Sequence, residues 1–162
     1  DLHSFPTRRS SDLNLWVANF SSAIKKSRDS VRKSELAEIS QALMMFRADW
    51  GSYPIENKSI NDPNAELSFN DGSGGLPHKI IPDYLRQFPI DEALNAGSAD
   101  HYYYQCLGTT TTPVRCVDFS ICAKLEVPSV SGANFTTNKP AGVGTPCNSS
   151  DTGCEYFCMY SP

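Results

Sequence analysis

The stretch Leu15–Trp50, LWVANFSSAIKKSRDSVRKSELAEISQALMMFRADW, reads as one long helix. In its second half Leu36, Ile39, Leu43, Phe46 and Trp50 fall three, four, three and four residues apart, which puts all five on one face. Ala37, Ala42, Met44, Met45 and Ala48 are good helix formers, and no Gly or Pro interrupts the run. Gly51 offers the left-handed conformation that closes a helix, and Pro54 forbids continuation. The sequence thus predicts a spine helix over 14–51, with Leu36, Ile39, Leu43, Phe46 and Trp50 as its core-facing residues.

The first half of the same helix is different. From Phe20 to Arg32 the apolar positions thin to Phe20, Ala23, Ile24 and Val31, with Lys25, Lys26, Arg28, Asp29 and Arg32 between them. At 1.5 Å per residue the predicted helix runs about 54 Å. A compact chain of 162 residues has a diameter of only about 40 Å. The helix outruns any globule the rest of the chain can build. Its second half is expected under a sheet and its first half packed on neighbouring copies, with Phe20, Ile24 and Val31 as candidate subunit contacts.

Working outward, residues 52–162 read as one globular region, an αβ loop over 52–100 followed by antiparallel sheet and loops over 101–162. Ser52–Gly75 is a long excursion dense in Asn and Asp, with Leu67 and Phe69 tacking it to the body. That density invites a calcium reading, but the spacing is not that of a helix–loop–helix calcium site, and turn chemistry accounts for the same residues. No cofactor is expected. Pro82 and Pro89 limit the next segment to a short turn around Asp83–Arg86, with Ile81, Leu85 and Phe88 inward. His101–Cys106 is β-prone. Val117–Val127 alternates, Val117, Phe119, Ile121, Ala123 and Leu125 facing one way. Tyr156–Tyr160 is a third strand, and Pro128–Ser150 reads as a surface loop.

The net charge of −4 is mild, and the basic residues of the helix are not interleaved with aromatic ones, so no sequence-specific nucleic-acid binding is expected. Six cysteines crowd the last third, in even number and without a CxxC pair, which favours disulfides over zinc. Spacing alone leaves the connectivity open. Cys106 and Cys116 flank a Thr-rich turn, Cys147 and Cys154 flank Asn148–Gly153, and Cys122 and Cys158 remain. His3, His78 and His101 stand at no ligand spacing. There is no GxSxG, HExxH or phosphate-cradling glycine loop, so no catalytic residue is assigned and the chain is not expected to be an enzyme. The alternative to a structural subunit is a secreted, disulfide-rich adhesin or ligand-binding module using the loops Ser52–Gly75 and Pro128–Ser150.

Ala23–Ile39, continued by Phe46-Arg47-Ala48-Asp49-Trp50-Gly51-Ser52-Tyr53-Pro54, resembles the helix of type IV pilins and type II secretion pseudopilins, most closely the major pseudopilin group. Tyr84-Leu85 with Phe88-Pro89-Ile90-Asp91 is similar to that family's "YLPxxPxDP" stretch, and Tyr102–Tyr104 and Ile121–Glu126 to its strands. The resemblance implies an α+β, pilin-like fold: a long N-terminal helix on a small antiparallel sheet, here of three or four strands, with a disulfide-stapled C-terminal region. It implies a structural subunit that polymerises through the helix into a filament with other pilins or pseudopilins. Its partners would be the inner-membrane assembly machinery and a prepilin peptidase, and its place the cell envelope or an extracellular filament. The family's leader, cleavage site, assembly glutamate and apolar segment have no counterpart here. Where they are expected stands Asp1–Leu13, which resembles translated sequencing-adapter read-through and is expected to be non-native, with the membrane-anchoring segment of the precursor missing.

Overall fold

In the computed structural model, which describes residues 10–60, 65–70, 76–90, 102–111, 114–129, 132–136, 146–147 and 154–162, the helix α1 spans Ser10–Trp50. It starts earlier than predicted and takes in Ser10–Leu13 of the segment expected to be foreign. Nothing between Pro6 and Asn14 breaks a helix, and extending an existing helix adds a hydrogen bond for each residue fixed. The exit is as the residues dictate. Gly51 takes φ +68° and its N–H closes on the Arg47 carbonyl at 2.7 Å.

Eight strands follow among the described residues: β1 Lys58–Ile60, β2 Ser68–Phe69, β3 His78–Lys79, β4 Tyr102–Thr111, β5 Val114–Ser129, β6 Gly132–Thr136, β7 Pro146–Cys147 and β8 Cys154–Tyr160. Six form an antiparallel sheet in the order β1-β4-β5-β8-β6-β7, and β2 pairs with β3 in a separate ribbon. The class is α+β, a helix on small antiparallel sheets. The expected count of three or four strands is corrected: the three located from the sequence are the longer ones, β4, β5 and β8. The rest are too short to show an alternating pattern. β1 and β2 lie within the excursion 52–75, and β6 and β7 within the stretch read as a surface loop. Asn61–Asn64, Asp71–Gly75, Asp91–His101, Asn148–Gly153 and His3 lie outside the described residues.

The central pairing is β4 with β5. Tyr102 stands opposite Ala123 and Tyr104 opposite Ile121 on the helix side, while Tyr103 stands opposite Cys122 on the other. Leu36, Ile39, Leu43 and Phe46 are fully buried against this sheet, together with Phe119, Ile121, Ala123, Tyr102 and Tyr104. Burying such a side chain contributes about 1.5–3 kcal/mol, so this patch alone fixes the second half of α1. Leu67, Phe69, Leu85 and Phe88 close the far side of the same core.

Among the described residues two disulfides are formed, Cys106–Cys116 and Cys122–Cys158. The first closes the β4–β5 hairpin. The second joins β5 to β8 on the sheet face away from the helix, beside Tyr156 and Tyr103. The first pair flanks the turn noted in the sequence and the second is the pair left over there, while the side chains of Cys147 and Cys154 lie outside the described ones.

Trp50 is a correction. It is 37 % exposed and does not join the helix–sheet core. The helix ends here and its last turn lies over the 76–90 segment instead of the sheet. The Trp50 ring stacks on His78 with centroids 3.4 Å apart, and its indole N–H donates to the Tyr84 hydroxyl at 2.8 Å.

Candidate interaction surface

The covered half of α1 begins at Asp29, the first buried residue along the described part of the helix, and every residue from Asn19 to Ser27 is exposed. At 1.5 Å per residue, the exposed run from Asn19 to Asp29 extends about 15 Å beyond the covered part. Phe20 is 70 %, Ile24 40 % and Val31 52 % exposed. They stand four and seven residues apart, one and two turns, so they share a stripe. By the 100° step of the helix this stripe lies about 100° round from the Leu36–Phe46 face. It is a second apolar face with no cover of its own.

What stops the burial at Asp29 is a junction of charges. The Asp29 carboxylate accepts the backbone N–H of Glu126 and of Val127, each at 2.9 Å, and the Arg32 guanidinium at 2.6 Å. Arg32 also reaches Glu126 at 2.8 Å, and Arg28 lies 3.1 Å from the same carboxylate oxygen. Here β5 slips its register against β8 between Lys124 and Ser129. The helix thus satisfies strand donors that the sheet does not. Sequence reasoning took Asp29 and Arg32 for a charged surface. A signal existed: stepping back from Leu36 by four and by seven, the core-facing period lands on Arg32 and Asp29.

The other anchor is at the helix exit. The Tyr53 N–H bonds the Cys116 carbonyl at 3.0 Å, and Ser52 Oγ accepts the Cys116 N–H at 2.9 Å. Arg47 lies over the Tyr53 ring, which meets Phe119 edge-on. Asp29 to Trp50 along the helix is about 32 Å, with Tyr53 just beyond its end, and Cys116 to Glu126 along β5 is about 33 Å. Helix and strand therefore run antiparallel, in step, tied at both ends. Between the ties the Tyr102 hydroxyl donates to Glu35.

Beside the helix C-terminus Tyr84 donates to Asp49 at 2.8 Å while accepting from Trp50. Burial, followed by the Asp49 carboxylate that holds its proton, pushes the Tyr84 phenol up, against the Trp50 bond that lowers it. Tyr102 and Tyr104 are buried in the core, and Tyr103 is half-buried on the other face of the strand. Among the described residues no group of three His, Cys, Asp or Glu side chains stands close enough to hold a metal ion, and no helix is long and apolar enough to cross a membrane.

No protein-family model matches the chain, and no curated protein or solved structure matches it significantly.

Proposed function

We propose that this chain is a pilin-like structural subunit of a type IV pilus or type II secretion pseudopilus, polymerising through its helix into a filament. The observation that carries this reading is the uncovered stripe of Phe20, Ile24 and Val31 on a half-helix that extends past the sheet it belongs to. Burying three such side chains between neighbouring helices would contribute several kcal/mol per contact, on the order of 1.5–3 for each. The disulfides suit assembly outside the cytoplasm. The reading brings with it a precursor processed by a prepilin peptidase, assembly by inner-membrane machinery, and a place in the cell envelope or an extracellular filament.

The test is Ile24→Asp in the protein expressed from its natural reading frame. The side chain is exposed, so the variant folds with unchanged stability, and it is absent from sheared filaments. Incorporation at the wild-type level overturns the assignment of this face.

A further inference from the structure

On a straight course the stripe of Phe20, Ile24 and Val31 leads on to Ala42, which is buried, and Asp49, which accepts the Tyr84 hydroxyl. At seven-residue steps, the repeat of helices wound round one another, it leads elsewhere. Ile24 and Val31 are then followed by Glu38 and Met45, and every one of the four is exposed. Phe20 is followed by Ser27, Ser34, Gln41 and Ala48, again all exposed. Met45, 51 % exposed, is the large apolar side chain towards the far end of this double row. No cation of α1 falls on it, and Glu38 is its one carboxylate. The open line thus runs past Asp29 and along the outer side of the half that the sheet covers.

We propose that the projecting half of one copy's α1 packs parallel to the covered half of the next copy's, displaced by two heptads, about 21 Å, so that Val31 lies level with Met45 and Ile24 with Glu38. The inference rests on the subunit reading above and names the register of that helix-to-helix contact. A second copy is the occupant because wound helices share one repeat, and this chain carries the repeat on both halves of α1. Displacement by whole heptads keeps the rows facing each other, and Glu38 chooses among the displacements. In register it faces its own twin, a like charge. Displaced by one heptad it faces Val31 of one copy and Met45 of another, and loses water without gaining a partner. The cations beside Val31 are engaged there, Arg32 with Glu126 and Lys33 over the Phe157 ring. Displaced by two heptads it faces Ile24, whose neighbours Lys25 and Lys26 are exposed. Neither they nor Glu38 has an ion-pair partner among the described residues, although Arg86 lines the same hollow as Glu38. In that register Val31 covers Met45, and Phe20 stands over the small Ser34. The two halves of α1 are different surfaces, so each copy leaves one of them open for the next.

The experiment is cross-linking of filaments with a short bismaleimide, the chain being expressed from its natural reading frame and the wild type serving as the blank for its own cysteines. Val31 and Met45 are both exposed, so the variants fold. Val31→Cys with Met45→Cys is expected to give a ladder of dimers, trimers and longer species, and each single variant to stay monomeric on denaturing gels. Dimers from Val31→Cys alone mean packing in register, and a ladder from Ile24→Cys with Val31→Cys means a displacement of one heptad; either overturns the proposal. Filaments of the Val31→Cys, Met45→Cys variant without a ladder overturn it too. As a second arm, Met45→Asp is expected to lower the yield of filaments about tenfold or more, the worth of burying one such side chain, with thermal unfolding unchanged. Incorporation of Met45→Asp at the wild-type level sinks the contact. All of these failures leave the subunit reading standing, whereas a wild-type chain that enters no filament ends both.

Discussion

Asp29 and Arg32, one turn apart on α1, form an ion pair at 2.6 Å with both side chains buried, and each also reaches the end of β5. A pair of this kind is not a source of net stability by default, since removing two charges from water costs several kcal/mol. Its partners decide the matter here. The Asp29 carboxylate takes two backbone donors and Arg32 takes Glu126, so the groups are matched. Removing one is then expensive. Asp29→Ala strands the N–H groups of Glu126 and Val127 and takes a buried carboxylate away from Arg32; about 3–5 kcal/mol of stability is expected to go. Asp29→Asn, which keeps an acceptor, loses less. Urea denaturation followed by circular dichroism separates them, and equal losses would show that the backbone bonds matter little.

The Tyr104 hydroxyl, buried, donates to the Pro54 carbonyl at 2.7 Å. Burial above all, then Tyr53 and Glu56, pushes its pKa far above that of a free phenol. The unfolded chain loses this proton near pH 10, roughly, and the folded chain holds it. The contribution is therefore intact below that pH and is lost as the pH climbs towards the folded value. Tyr104→Phe is expected to flatten the fall of the urea midpoint above about pH 10. At neutral pH it costs about 1–3 kcal/mol, because the Pro54 carbonyl is left without a partner.

Gly51 is held at φ +68°, and a Cβ there would lie 2.6 Å from Arg115 Nη1. The arginine tip can swing aside, but it then gives up its bond to the Gly51 carbonyl at 3.3 Å. Gly51→Ala is expected to cost about 1–2 kcal/mol from the backbone conformation alone. Thermal unfolding measures it, and a melting temperature equal to wild type would contradict the strain.

The disulfides close loops of different length. Cys122–Cys158 spans 36 residues and Cys106–Cys116 spans 10. On the chain-entropy account, replacing the first pair by alanines costs about 4 kcal/mol and the second about 3. The reverse order in denaturant midpoints would mean that packing around the bridges outweighs loop closure.

Much of this fold is legible in the chain because it repeats a local period. Leu36, Ile39, Leu43 and Phe46 mark the buried face of α1, and Phe119, Ile121, Ala123 and Leu125 the buried face of β5; all eight are buried, while Val117, read with the latter, is only half-buried. What escapes such reading depends on partners far off in sequence. Trp50 continues the helical period, yet the sheet does not reach it, and His78 and Tyr84 take it instead. Asp29 and Arg32 look like surface charges until Glu126, 97 residues from Asp29, is brought alongside. The short strands β1, β2, β3, β6 and β7 owe their state to a neighbour's hydrogen bonds, which no two- to five-residue stretch announces. The Phe20, Ile24 and Val31 stripe was visible by composition.

The lockstep run of α1 beside β5 has a mechanical meaning. A tug on the protruding end of the rod reaches the domain first at Asp29 and last at Tyr53, and the bonds at both ties resist it by sliding rather than by peeling. Behind them β5 is riveted twice, at Cys116 and Cys122, to strands on either side. Under tension along its length the chain would pull its rod free of the sheet before the sheet itself unravelled.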